Sequence, residues 1–134
     1  MDITQIENTI SALALAQGYS PLIASEQGLE KSITTFPTAW ISLPKVLYVE
    51  GRDQGVICHK ISLTLLEDYN AYSFEDKTIR LNEMQNDAIE IMTLLSKEEG
   101  VVEVSAMTIT PRVVATTRHG DIAQLCEASV VTYF

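Results

Sequence analysis

Cys58 and His59 are adjacent, and a thiol with an imidazole is the smallest set from which a thiolate nucleophile and its base can be built. Ile57, Ile61, Leu63 and Leu65 recur at every second position around them while Cys58, Lys60, Ser62 and Thr64 take the alternate positions, which is the pattern of a strand. Neighbours on a strand point to opposite faces and cannot pass a proton directly. His59 shares the parity of Ile57 and Ile61, so it reads as a core or rim histidine with one hydrogen bond. A catalytic pair would need the fold to join Cys58 to His119, or Cys126 to His59. The two cysteines lie 68 positions apart, too few and too scattered for a disulfide framework or a paired-ligand zinc site, and are expected to be free and buried.

Acid pairs occur at Glu67-Asp68, Glu75-Asp76 and Glu98-Glu99, and two carboxylates across a cleft can hydrolyse glycosides. Their clustering favours another reading. Between Glu67 and Glu103 stand ten acids and three bases, which carry −7 of the chain's net −9 and form one solvated acidic face with Glu83, Asp87 and Glu90 on a helix. Such a face repels DNA, which suits a pore wall along which DNA slides, and argues against tight nucleic-acid binding. Gly51-Arg52-Asp53-Gln54-Gly55 lacks the spacing and the following helix of a phosphate loop and reads as a hairpin turn. Arg118, His119 and Asp121 fall on a second turn, and both tips, Arg52 and Asp53 included, are candidate subunit or partner contacts. No dinucleotide fingerprint, metalloprotease helix or serine elbow occurs, so the expectation is a non-enzymatic chain without cofactor or metal.

These positions need elements to carry them. Ile3, Ile6, Ile10, Leu13 and Ala14 behind Asp2-x-x-Gln5 predict a helix over 2–17. Residues 19–36 read as a connection with a short strand near 31–34. Runs 38–49 and 55–66 predict a hairpin, with Pro44 at an edge or bulge. Leu81, Met84, Ala88, Ile91, Met92 and Leu95 fall on one stripe of a second helix over 74–99, started near Ser73 and stopped by Gly100. Runs 101–117 and 122–134 predict a second hairpin. The expected fold is a single α+β domain over 1–134: a largely antiparallel sheet of two hairpins with two helices on one face, in the order helix, hairpin, helix, hairpin. The N-terminus has no basic leader, and no apolar run approaches the ~20 residues of a membrane span.

The opening helix, Phe36-Pro37-Thr38-Ala39-Trp40-Ile41 leading into a strand, the hairpin through Gly51 and Gly55, the helix from Leu81 to Leu95 and the closing Val130-Val131-Thr132-Tyr133-Phe134 together resemble the tail terminator (tail completion) and head–tail joining proteins of long-tailed bacteriophages. The resemblance lies in element order and length over nearly the whole chain. It implies a protomer made in the bacterial host cytoplasm that assembles into a ring, commonly a hexamer, at the head-proximal end of the tail tube, against tube and neck or connector proteins. A ring needs a heterologous contact, for which the strands 38–49 and 122–134 offer candidate edges. Two other readings stand beside it: a small acidic cytoplasmic binding module of immunity or inhibitor type, and a small α+β enzyme with a pocket between sheet and helices.

Overall fold

The computed structural model describes residues 1–25, 35–51, 53–68, 74–114 and 121–134. Asp2 starts helix α1 (Ile3–Ala16) with a complete capping box: its carboxylate accepts from the Gln5 amide at 2.8 Å, and the Gln5 side chain accepts from the Asp2 amide at 2.8 Å. Two short strands follow, β1 (Ser20–Ile23) and β2 (Thr38–Ile41), then a hairpin of β3 (Lys45–Gly51) and β4 (Gly55–Asp68). Helix α2 (Phe74–Ser96) leads to β5 (Val101–Val114) and β6 (Asp121–Tyr133). The class is α+β, with two helices and a six-stranded, mostly antiparallel sheet in the order β1-β2-β4-β6-β5, β3 lying beside β2 along the same side of β4.

β4 organises the sheet. It pairs with β6 in unbroken register from Val56↔Tyr133 to Asp68↔Asp121, and its other side is shared by β3 against residues 55–60 and β2 against residues 63–66. Both helices cover one face. There Ala39, Ile41, Ile61, Leu63, Leu65, Ile122, Cys126, Ala128 and Val130 meet Ile6, Ile10 and Ala14 of α1 and Met84, Ala88, Ile91, Met92 and Leu95 of α2, all at most 3% exposed. Burial of such side chains at roughly 1.5–3 kcal/mol each is the main force holding the layers together. The accessible surface of 7565 Å² is close to the roughly 7,000 Å² that size scaling gives for a folded chain of this mass.

Three features differ from the pattern read in the sequence. The run 38–49 is two strands, because Ser42, Leu43 and Pro44 stand opposite only Ile61 and Ser62 of β4, and Pro44 has no amide to donate. β1 arises in what reads as a connection: it pairs parallel to β2 from Ser20↔Thr38 to Ile23↔Ile41, a tertiary choice that four residues containing Pro21 do not announce. The closing strand is no edge, since β6 lies between β4 and β5, and the outer edge belongs to β5. The strand expected near 31–34 and the helix start at Ser73 lie outside the described residues.

Two local geometries fix the end of the sheet where β3 turns into β4. Gly51 has φ +111°, and a Cβ there would lie 2.5 Å from the Gly55 Cα. At Gly55 the Phe134 ring occupies the space a Cβ would need, and the Phe134 amide donates to the Gly55 carbonyl at 3.1 Å. Glycine is required at both positions. The Met1 ammonium donates to the Tyr133 carbonyl at 2.5 Å, so residues 1 and 134 meet at this same end.

Candidate functional site

The register separates the thiol and imidazole pairs. His59 faces the helices, opposite Val46 and Val130, while Cys58 faces the other way, opposite Tyr48 and Val131. Cys126 shares the helix side but pairs with Leu63, four positions from His59 along β4, or roughly 13 Å at the rise of a strand. Both cysteines are free and buried, and burial pushes the Cys126 thiol up to about 11. His59 is 1% exposed, and its Nδ1 has no hydrogen-bond partner among the described residues. Desolvation, with the N-terminal ammonium adding to it, holds its pKa below the ordinary histidine value. The opposite faces of Cys58 and His59, and the four-residue offset of Cys126 from His59, leave neither pair placed for direct proton transfer. The pairing of Cys58 with His119 lies outside the described residues.

The concentrated electrostatics are elsewhere, where the turn after α1, the C-terminal half of β4 and the first half of α2 converge. Arg80 points inward with its side chain 15% exposed and faces three carboxylates: Glu83 at 3.2 Å, Glu67 at 3.4 Å and Asp87 at 3.9 Å. The Tyr19 hydroxyl donates to Asp87 Oδ2 at 2.6 Å, and the Arg80 guanidinium lies 5.6 Å from the centre of the Tyr19 ring. Tyr19 is 1% exposed; burial first, and the bond to Asp87 second, hold its phenol well above the ordinary tyrosine range. Burial opposes the charge of Arg80, but Tyr19, Glu67 and Glu83 outweigh it and its pKa rises. Arg80 Nε is buried without a partner among the described residues.

The arrangement clamps α2 to the turn after α1 and to β4 through one cation. It holds no activated nucleophile, and no group of three or more histidine, cysteine or acidic side chains among the described residues is placed to hold a metal. Chemically it is a brace. The spacing Arg80, Glu83, Asp87 on one helix face is visible in the sequence, but nothing local signals that Glu67 and Tyr19 complete it.

The acidic face is divided by this brace. Glu83 and Asp87 turn toward Arg80, Asp87 being half-buried, while Glu90 is exposed. At the hairpin tips Asp53 is exposed; Arg52, Arg118 and His119 lie outside the described residues, and Asp121 is the first residue of β6. On the sheet face away from the helices a shallow depression of about 210 Å³ opens at Thr108 and Ser129, with Lys60 and Glu127 paired at 3.0 Å across it. Beside it Ala106 takes φ +51° where β5 slips register against β6 between Ser105 and Thr108. No helix is long and apolar enough to cross a membrane among the described residues. No family model matches the chain, and no curated protein matches it in sequence.

Proposed function

We propose that the chain is a non-enzymatic structural protomer of a bacteriophage or prophage virion, tail terminator-like, which assembles into a ring of about six copies at the head-proximal end of the tail tube. Its partners are then further copies of itself, the tube, and a neck or connector protein, and its place is the virion tail or neck. In that reading the domain is helix, hairpin, helix, hairpin, with β1 and β2 added along one edge. The observation that carries the proposal is the edge strand β3: all seven of its residues are exposed, among them Val46, Leu47, Tyr48 and Val49. A chain that has already filled its core with Ile, Leu and Met keeps such a strand uncovered when another protein covers it.

The test is solution mass by light scattering across concentration and salt, with negative-stain imaging. Rings of about six copies are the expected result. A monomer at every concentration moves a second reading to first place, the acidic binding module, which the net charge of −9 favours. That module would bind a basic partner with an affinity that falls steeply as salt rises.

A further inference from the structure

Beyond the Arg80 brace, β3 and the end of the sheet at Gly55 hold six of the exposed large apolar side chains among the described residues. Val46, Leu47, Tyr48 and Val49 are 43 to 56% exposed, and Tyr133 and Phe134 are 57 and 60% exposed. Register divides them between the two faces of the sheet: Val46 and Val49 stand opposite His59 and Ile57 on the helix side, Tyr48 and Tyr133 opposite Cys58 and Val56 on the other, and the Phe134 ring packs where Gly55 faces Gly51. Half-exposed side chains of this kind leave on the order of 100 Å² each, so Val46 through Val49 leave about 400 Å² along the β3 edge, divided between its two faces.

The far edge of the same sheet supplies a matching surface. A row of paired residues runs Val49, Ile57, Thr132, Val101 from β3 across to β5, and the next runs Tyr48, Cys58, Val131, Glu103. Four strands alternate in direction between these edges, so β3 of one copy set beside β5 of the next continues the antiparallel order. β5 presents Val102 and Met107 at 43 and 40% exposure. The charges are complementary: Lys45 is the sole charge of β3 before Glu50, Glu103 is the sole charge of β5 before Arg112, and both lie on the sheet face away from the helices.

The backbone says what kind of contact this is. Leu47, Val102 and Met107 each fall at a register shift, so each edge carries an apolar residue at a bulge. Bulges interrupt a ladder and increase twist, which excludes a long flat pairing and turns each added copy relative to the last. Contacts between two different edges of identical chains close into a ring when that rotation closes.

Resting on the ring-forming reading above, we infer that the subunit contact is heterologous: the apolar β3 edge of one copy docks against the bulged β5 edge of the next, with Lys45 and Glu103 on the same face of the joined sheet. The experiment is sedimentation of the wild-type chain, of Val49→Lys and of Met107→Lys, alone and mixed in equal amounts, with circular dichroism to verify the fold. Val49→Ser and Met107→Gln serve the same comparison if a charged variant misfolds. The wild type is expected to form rings, and each variant alone is expected to lose at least about tenfold in association. Their mixture is expected to stop at a pair, one copy lending an intact β3 and the other an intact β5.

A Met107→Lys chain that still self-associates while Val49→Lys does not identifies a two-fold β3 contact and overturns the inference. Rings untouched by either variant overturn it and leave the ring reading intact. A wild-type chain that never assembles overturns both.

Discussion

At Arg80, one guanidinium holds three carboxylates and a buried tyrosine in register, so its removal is felt well beyond one contact. Arg80→Met keeps the stem but leaves Glu67, 10% exposed at its side chain, without this cation, and is expected to cost about 2–4 kcal/mol in urea unfolding. Tyr19→Phe removes only the bond to Asp87 and is expected to cost about 1–2 kcal/mol. His59 sets a pH dependence. Its folded pKa lies below the unfolded value of 6.5, so the unfolded chain binds the proton first, and stability falls as pH drops below 6.5 until the folded imidazole also titrates. Urea midpoints between pH 5 and 7.5 should show that slope, and His59→Leu should flatten it. Ala106 at φ +51° occupies a conformation that costs an L-residue roughly 1 kcal/mol, so Ala106→Gly is expected to leave stability unchanged or raise it by up to about 1 kcal/mol.

The elements differ in how far they were legible, and the differences have physical causes. α1 and the apolar stripe of α2 follow from local periodicity and, for α1, a capping box formed within four residues. Asp2→Ala should accordingly lower stability by about 1 kcal/mol in thermal or urea melts. β4 was readable because alternation over Ile57 to Leu65 is long and one face is buried. Pro44 announced an irregularity, yet the split into β2 and β3 rests on the count of residues opposite it on β4. β1 was invisible, since its partner β2 is parallel and comes 18 residues later in register. The Arg80 brace was half visible: Glu83 and Asp87 lie at helical spacing, but Glu67 and Tyr19 come from other elements and only the fold delivers them. Cys58-His59 shows the reverse case, where sequence adjacency suggests chemistry that strand parity forbids.

For the whole molecule the governing quantity is a net charge of −9 on 134 residues. Copies of such a chain repel one another, and that repulsion is screened over about 10 Å at 0.1 M salt. Assembly through apolar edges should therefore strengthen between low and moderate salt, whereas capture of a basic partner by charge should weaken over the same range. Light scattering with and without a polycationic protein at two ionic strengths reads both trends in one series.

The bond between the Met1 ammonium and the Tyr133 carbonyl has a practical side. An affinity tag fused before Met1 or after Phe134 emerges beside the Gly55 turn, next to the exposed Phe134 ring and the edge of β3 that is unpaired among the described residues. A bulky or charged tag there competes sterically for the apolar end, and a tagged preparation that stays monomeric reports on the tag before it reports on the protein. Purification handles are better placed elsewhere or removed by protease before any mass is measured, and a short flexible linker joining the two ends would make a circularly permuted chain a feasible control.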